Sequence, residues 1–376
     1  MDIPRITRMR NMEGKRILLR ASLNAPIENG KVKSVFRLKK AQETIKYLSS
    51  GGARVILLGH IGSEGKESLL PVYEELKGEL PLSFVPFGLY DEKTRDAIEN
   101  MQNGEVLLLE NIRRESGEKE NSNELSLHLA SFADVYVNDA FSVSHRRHAS
   151  VVGVPRHLPS YAGLCFDEER RELTKALNPD SPSLLILGGA KFHTKEPLIE
   201  KSLKTYDDIF VGGALANDFF KACGFRVGRS DVSEATSLEK LARNESVLIP
   251  RDVVVEKNGA SRIACPEDIH PEEKIVDVGP ETIFMLSKLI DRMSFVLWNG
   301  PLGKYEDGYR EHTEALARLL SQSDAYTIIG GGDTVASIEH LHLEESFDFI
   351  STAGGAMIEF LTNGTLPGIE ALKKSR

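Results

Sequence analysis

Short apolar runs alternate with segments of helical periodicity along most of the chain. This alternation is typical of α/β proteins, in which helices connect the strands of a mostly parallel sheet. The predicted helices of the first half are Leu38–Ser49, Tyr73–Glu79 and Asn123–Phe132. The predicted strands are Arg16–Leu19, Arg54–Leu58, Glu105–Leu109, Val135–Asn138, Leu184–Leu187, Asp208–Val211, Val247–Ile249, Ser294–Trp298, Tyr326–Ile329 and Phe347–Ile350. Both halves are therefore predicted to be doubly wound.

The alternation lapses over residues 151–160, which contain Pro155 and Pro159, and a charged helical pattern follows at Asp167–Leu177. At 376 residues the chain exceeds the roughly 250–300 residues at which a single core stops growing. We therefore expect two domains and a connecting helix. The predicted limits are residues 1–162 for the first domain, 163–178 for the interdomain helix, 179–355 for the second domain and 356–376 for a C-terminal segment.

The second half contains a glycine turn that is typical of phosphate binding. The apolar run Tyr326–Ile329 is followed by three glycines, and a helical pattern begins at Asp333 and Thr334. Glycine lets backbone N–H groups approach an anion, and the helix N-terminus adds partial positive charge. Asp333 would repel a phosphate unless a divalent cation such as Mg²⁺ lay between the two. The turn therefore indicates a site for a nucleotide and Mg²⁺; the alternative is that Asp333 only caps its helix.

Three other predicted strands of this half also end in glycine pairs, at residues 188–189, 212–213 and 354–355. In open α/β sheets, ligands bind beyond the carboxyl ends of the strands, where such turns lie side by side. The chain contains neither the Walker P-loop motif nor the G-x-G-x-x-G dinucleotide motif. A Walker NTPase and a nicotinamide-dependent dehydrogenase are therefore disfavoured.

The first half instead has cationic and polar residues after its predicted strands. These are Arg20, Ser22, Asn24, Arg37, His60, Arg113, Arg114, His145, Arg146, Arg147 and His148. The net charge of −9 argues against a general nucleic-acid or acidic-membrane binder. A small anionic substrate would therefore have to meet a local cluster of cations, and we expect these residues to form it. Because the arginine fork binds phosphate and carboxylate in pairs of hydrogen bonds, the cluster predicts a site for a small acid of that kind.

The remaining features predict an ordinary intracellular protein. The three cysteines are widely spaced, which suggests reduced thiols rather than disulfides or a metal site. No apolar leader and no long uninterrupted apolar stretch are present in the sequence, so we expect a cytoplasmic protein that does not bind membranes. Nothing in the sequence calls for assembly, and we expect a monomer.

Eight motifs, in order along nearly the whole chain, resemble the phosphoglycerate kinase family. They are Asn24–Pro26, Leu108–Arg113, Asp134–Phe141, His145–Ser150, Leu187–Lys191, Trp298–Pro301, Gly330–Thr334 and Ser351–Ala356. The resemblance implies two Rossmann-like domains, the first binding 3-phosphoglycerate and the second binding ATP or ADP with Mg²⁺. It also implies that the C-terminal segment returns towards the first domain.

The resemblance assigns roles residue by residue. The residues implied for 3-phosphoglycerate are Asn24, His60, Arg113 and Arg146. Those implied for catalysis are Arg37, Lys191 and Lys195. Those implied for the nucleotide are Gly189, Lys191, Lys195, Gly213, Asn299, Pro301, Glu306, Gly331, Gly332, Asp333 and Thr334, with Asp333 also binding the metal.

The chain departs from the family pattern mainly in the acid-binding half. Ser22 stands where the family usually has an aspartate, and Ser63 where it has an arginine. Charge-assisted hydrogen bonds contribute roughly 1.5–3 kcal/mol each, so two losses would weaken acid binding by about 10²-fold unless neighbours such as Arg114 or Arg147 compensate. Two alternatives to phosphoglycerate kinase activity therefore stay open: a kinase of another small carboxylate, and a nucleotide-binding paralogue without turnover.

Overall fold

The computed structural model describes residues 3–190, 192–233 and 238–375. Its chain divides into two compact units. The first consists of residues 1–171 together with residues 365–376, and the second consists of residues 172–364. The boundary falls within the charged helix that follows the first sheet, and each unit is described separately below.

The first unit is built on a six-stranded parallel sheet with the strand order β5-β6-β4-β1-β7-β8. β1, β4 and β7 are buried along almost their whole length, because the sheet is covered on both faces. β2 and β3 form a separate antiparallel hairpin. The strands are β1 (Arg16–Ala21), β2 (Ile27–Glu28), β3 (Lys31–Val32), β4 (Arg54–Leu58), β5 (Leu82–Val85), β6 (Val106–Leu109), β7 (Val135–Asp139) and β8 (Ser160–Ala162).

Helices connect these strands, and their apolar residues pack on the sheet. The α-helices are α1 (Phe36–Ser50), α2 (Leu70–Leu76), α3 (Glu92–Glu99), α4 (Asn123–Ser131) and α5 (Leu164–Lys175). Short 3-10 turns lie at Ile6–Arg8, Ile112–Arg114, Phe141–Val143 and Val154–Arg156, and a π-helical turn lies at Ala149–Gly153. The turns at Ala149–Gly153 and Val154–Arg156 overlap residues 151–160, where the alternation of the sequence lapses.

The second unit contains another six-stranded parallel sheet, in the order β11-β10-β9-β15-β16-β17. A three-stranded antiparallel sheet, ordered β13-β12-β14, accompanies it. The strands are β9 (Ser183–Leu187), β10 (Asp208–Val211), β11 (Val247–Leu248), β12 (Val253–Lys257), β13 (Ala260–Ala264), β14 (Lys274–Val278), β15 (Phe295–Asn299), β16 (Tyr326–Gly330) and β17 (Phe349–Ile350). The antiparallel sheet was not predicted from the sequence.

The helices of the second unit follow the strands in the same alternation. They are α6 (Phe192–Ser202), α7 (Gly213–Ala222), α8 (Leu238–Ala242), α9 (Pro280–Ile290), α10 (Glu311–Leu320), α11 (Gly332–Leu341) and α12 (Gly355–Asn363), with 3-10 turns at Pro266–Asp268, Tyr305–Asp307 and Glu344–Ser346. In each large sheet the strand order reverses beside the first strand, so both sheets are doubly wound. The predicted fold class is therefore confirmed. No helix of the described residues has the length and apolar character needed to cross a membrane.

The C-terminal residues are divided between the units. α12 packs in the second unit, where Lys201 Nζ donates to the carbonyls of Leu361 and Thr362 at 2.7 and 3.1 Å. α13 (Pro367–Lys374) belongs to the first unit, where Gly368 N donates to Ser144 O at 2.8 Å. The predicted domain limits remain a prediction, and they differ from these units in grouping residues 356–364 with the returning segment.

Candidate active site

The polar residues predicted for the acid lie at the carboxyl edge of the first sheet. Asn24 follows β1, His60 follows β4, Arg113 follows β6 and Arg146 follows β7. Arg37 lies in the first turn of α1. Because the strands are parallel, the loops that carry these residues leave the sheet at the same edge.

Hydrogen bonds join three of these loops. Gly62 N donates to Asn24 Oδ1 at 2.9 Å, and Arg37 Nη1 donates to Asn24 O at 2.6 Å. Arg113 Nη1 donates to Gly62 O. Asn24 thus bonds both to the loop after β4 and to α1, and the side chains of Arg37 and Arg113 are directed to the same region of the first unit.

The ionisable groups of the cluster are affected by burial and by one another's charges. Burial lowers the pKa of Arg113, and the charges of Arg20 and Arg146 lower it further against the opposing effect of Glu118. Burial and the charge of Arg146 lower the pKa of His145 to about 4. Arg113 Nε and His145 Nδ1 are buried, and neither has a hydrogen-bond partner in the part of the chain that the structure describes.

The structure therefore brings together all five residues that were predicted for the acid and for its side of catalysis. His60 belongs to the cluster because the charges of Arg20, Arg113 and Arg37 act on its ring. Buried polar atoms without a partner are rare in folded proteins, and a bound ligand, ion or water can complete their hydrogen bonds. The chemistry of the cluster fits a small molecule with several anionic oxygens.

The positions that depart from the family pattern are also located. Ser22 Oγ lies 2.7 Å from Ser142 Oγ, so the two hydroxyls are partners. Ser63 is exposed. Arg114 Nη1 lies 3.2 Å from Glu110 Oε1. Arg114 is therefore already paired, which makes it a weaker substitute for a missing phosphate-binding cation than the sequence suggested.

In the second unit the glycine turns that follow β9, β10 and β15 contact one another through backbone atoms. Gly188 N donates to Asn299 O at 2.9 Å, and Gly189 N donates to Pro301 O at 2.7 Å. Gly213 begins α7 with a φ of +61°, and a Cβ at this position would lie 2.5 Å from Gly189 N. Only glycine allows this close approach of two turns, and the predicted residues Gly189, Gly213, Asn299 and Pro301 are thereby brought together.

Lys195 is the buried cation of this group. It lies on α6 and is 8 % exposed, and its Nζ donates to Gly188 O. Burial lowers its pKa to about 8, with the negative charge of Asp333 acting in the opposite direction. The second predicted lysine, Lys191, lies outside the described residues.

The turn after β16 presents Asp333 at the start of α11. Thr334 Oγ1 accepts a hydrogen bond from Gly300 N at 3.0 Å, which ties this turn to the one after β15. Gly331 is the N-cap of α11, with a φ of +103°, and no side chain caps the helix. Asp333 is therefore not a helix cap. Gly332 and Asp333 are exposed, and no hydrogen bond or ion pair of the described residues engages the Asp333 carboxylate.

Two further residues complete the picture of this half. Glu306 lies exposed on the turn Tyr305–Asp307 and takes no part in the hydrogen bonds that join the glycine turns. Asn217, which was not predicted, lines a small cleft together with Gly213 and Leu302. Its Nδ2 donates to Asp231 O at 3.0 Å, and its buried Oδ1 has no partner among the described residues. Its position within a regular helix gave no signal of a binding role.

Comparisons with known proteins show the family to which the chain belongs. The family model described as phosphoglycerate kinase matches residues 6–364. A phosphoglycerate kinase of Thermus thermophilus is 40% identical over 380 residues, which cover 96% of this chain and 97% of the relative. The structure of phosphoglycerate kinase from Coxiella burnetii has a TM-score of 0.83 at 34% identity, and covers 99% of this chain and 98% of its own.

A second solved structure, phosphoglycerate kinase from Pyrococcus horikoshii OT3, has a TM-score of 0.87 at 28% identity and covers 99% of both chains. The relatives span this chain almost completely, so the similarity includes both units, with the cationic cluster of the first and the glycine turns of the second. The chain belongs to the phosphoglycerate kinase family.

Proposed function

We propose that this chain catalyses the reversible transfer of a phosphoryl group between ATP and the carboxylate of 3-phosphoglycerate (1,3-bisphosphoglycerate + ADP = 3-phosphoglycerate + ATP), a reaction of glycolysis. Its family makes it a phosphotransferase enzyme. The observation that carries the choice of acid is the cationic cluster of the first unit, whose buried Arg113 Nε and His145 Nδ1 have no partner among the described residues. The relatives give no support to a kinase of another acid or to a paralogue without turnover.

The chemistry requires no general base. The nucleophile in the ATP-consuming direction is a carboxylate, which is already ionised at pH 7. Phosphoryl transfer instead requires in-line positioning and positive charge around a loose transition state. We assign the binding of the acid to Asn24, His60, Arg113 and Arg146, and we assign charge stabilisation of the transferring group to Arg37 and Lys195.

The nucleotide is assigned to the joined glycine turns of the second unit, with Asn299, Pro301 and Glu306 on the nucleoside side. Mg²⁺ fits the donor set at Asp333, because this ion is usually held by one or two carboxylates and completes its shell with water and phosphate oxygens. The described residues contain no group of three or more His, Cys, Asp or Glu side chains that could hold a metal ion, so phosphate oxygens and water would complete the coordination of Mg²⁺. When bound, Mg²⁺ would neutralise charge on the phosphates.

A coupled assay tests the function. The protein is incubated with ATP, Mg²⁺ and 3-phosphoglycerate, and formation of ADP is followed. We expect turnover that stops when either Mg²⁺ or the acid is omitted. Turnover with glycerate or another small carboxylate but none with 3-phosphoglycerate would overturn the choice of acid, and ATP binding without turnover on any acid would overturn the enzymatic function.

Replacing Arg113 by alanine should raise the KM for 3-phosphoglycerate by about 10–10²-fold, because a charge-assisted hydrogen bond contributes roughly 1.5–3 kcal/mol. The matched control is Arg114→Ala, the adjacent arginine, which is paired with Glu110. Initial rates at varied 3-phosphoglycerate and saturating ATP measure both. An equal rise in the two variants would show that Arg113 has no special role in binding the acid.

We also propose that the protein is a cytoplasmic monomer. A monomer has a mass of 41.6 kDa in solution. Light scattering coupled to size-exclusion chromatography measures it, and a mass of twice that value would contradict the proposal. Fractionation of the source cells tests the location.

A further inference from the structure

A buried network of Arg20, Ser150 and Glu118, to which the proposed function gives no role, adjoins the cationic cluster of the first unit. Arg20, on β1, is 1 % exposed. Its Nε donates to Ser150 Oγ at 3.0 Å, its Nη1 donates to Ala21 O at 2.7 Å, and its Nη2 lies 2.9 Å from His60 Nδ1. Each nitrogen of the guanidinium therefore has a partner within the first unit, so the position of Arg20 is fixed.

The contact between Arg20 and His60 determines where the imidazole carries its proton. A guanidinium has only N–H donors and no acceptor, so His60 Nδ1 must accept the hydrogen bond with its lone pair. The ring is then neutral, and its single proton lies on Nε2. Burial is the largest cause that lowers the pKa of His60, and the nearby cations lower it further; these are Arg20, Arg113, Arg37 and His148.

Glu118 supplies the negative charge that balances Arg20. Its side chain is fully buried, and it accepts hydrogen bonds from Ser150 N at 2.9 Å and from Ser150 Oγ at 2.6 Å. The Ser150 hydroxyl thus accepts from Arg20 and donates to Glu118. Burial by itself raises the pKa of Glu118, but the nearby His148 ring, the charge of Arg20 and the two Ser150 donors outweigh it and lower the pKa. The carboxylate is therefore ionised.

We infer that Glu118 is a positioning residue: through Ser150 and Arg20 it holds His60 as the neutral tautomer whose Nε2–H donates a hydrogen bond to the bound acid. This inference rests on the proposed function, because it states what His60 offers to the substrate of that reaction. The arginines supply positive charge, which attracts an anion from any direction. A neutral N–H adds one directed bond, and this bond does not depend on protonation of the ring in the working pH range.

The tautomer is tested first, without substrate, by long-range ¹H–¹⁵N NMR of the full chain labelled in its 10 histidines. The signals of His60 are identified by their loss in His60→Gln. We expect an unprotonated Nδ1 and a protonated Nε2, with neither signal moving between about pH 5 and pH 8, where an ordinary histidine titrates. A His60 ring that titrates near its usual pKa, or that carries its proton on Nδ1, would overturn the inference.

The positioning role is tested by Glu118→Gln, which keeps the shape of the side chain and removes its charge. We expect signals of a second His60 tautomer and a KM for 3-phosphoglycerate raised about tenfold, the effect of losing one well-formed hydrogen bond, with a smaller change in kcat. The matched control is Glu110→Gln. Glu110 is also a buried carboxylate, but it accepts from Ser68 Oγ at 2.6 Å and from Asn111 N at 2.8 Å rather than from the Arg20 network.

Glu110→Gln should leave the His60 signals unchanged, even where its stability falls. If His60 gives the same signals in Glu118→Gln as in the unmodified protein, Glu118 does not position it. Should Glu118→Gln fail to fold, Ser150→Ala removes the bridging hydroxyl and retains the charges of Glu118 and Arg20. Unchanged His60 signals in that variant would contradict positioning of His60 by Glu118 through Ser150. A neutral, non-titrating His60 in a protein without turnover on 3-phosphoglycerate would refute the proposed function and leave the assignment of the tautomer standing.

Discussion

Replacing Lys195 by methionine is expected to lower kcat by about 10²–10³-fold, the effect of removing one preorganised group that stabilises transition-state charge. Lys195 is buried beside the glycine turns, where water does not screen its charge. Methionine has a similar length and no charge. The measurement is kcat at saturating ATP and 3-phosphoglycerate, and thermal unfolding checks that the fold is intact.

Lys204→Met serves as the control, because Lys204 is exposed just beyond the same helix. It should retain the kcat of the unmodified protein. Equal losses in the two variants would indicate a general effect of removing positive charge from this unit. A kcat within about twofold of the unmodified protein in Lys195→Met would show that Lys195 does not stabilise the transferring group.

The same lysine should leave a signature in the pH dependence of stability. Its pKa is about 8 in the folded protein, against an ordinary value of 10.5. Between these two values the folded state binds fewer protons than the unfolded state, so this group makes the free energy of unfolding rise with pH across that window. Denaturant titrations at both ends of the window should show the rise in the unmodified protein and a smaller rise in Lys195→Met.

Gly213→Ala is expected to weaken ATP binding by at least about tenfold, or roughly 1.4 kcal/mol. The added Cβ would lie 2.5 Å from Gly189 N and 2.8 Å from Pro301 O. Both are backbone atoms, and they are joined to each other by a hydrogen bond of 2.7 Å. The turns must therefore separate to admit the methyl group, which displaces the glycine turns that we assign to the nucleotide. Isothermal titration calorimetry with ATP and Mg²⁺ measures the change.

Gly224→Ala separates this collision from backbone strain. Gly224 also has a positive φ, +86°, but no atom lies within 4 Å of the Cβ that alanine would add. Both variants force an L-residue into the left-handed region, at a free-energy cost of roughly 1–2 kcal/mol. Only Gly213→Ala should lose ATP affinity. An equal loss in the two variants would show that strain, and not the contact between turns, is responsible.

The parallel sheets were predictable because their strands are covered on both faces and are therefore continuous apolar runs. The predicted strands Arg54–Leu58 and Asp208–Val211 coincide with β4 and β10. The antiparallel sheet was missed, although its signal is present: Asn258 and Gly259 connect β12 to β13, and both have a positive φ. An Asn-Gly pair between two strands is a strong hairpin signal.

The candidate site was predictable where a motif fixes a residue just beyond a strand end. Asn24, His60 and Arg113 are of this kind, since parallel strands deliver their loops to one edge of the sheet. Glu118 and Asn217 could not be found in this way. Their importance depends on burial and on partners that are distant in sequence, such as Arg20 for Glu118. A sequence shows that a carboxylate is present, but not which cation it faces inside the fold.

The attachment of α13 to the first unit has a consequence for biosynthesis. Gly368 N, in α13, donates to Ser144 O, in the loop that leads into His145. α13 therefore supports a loop of the cationic cluster that we assign to the acid. A ribosome makes the chain from its N-terminus, and domains generally fold as their residues emerge. Here the first unit, whose translation begins first, is completed only after the whole second unit has been translated. A nascent chain whose second unit has fully emerged from the ribosome would still lack the helix that supports the cationic cluster. A premature stop codon after residue 364 would remove α13 from the unit to which we assign the acid.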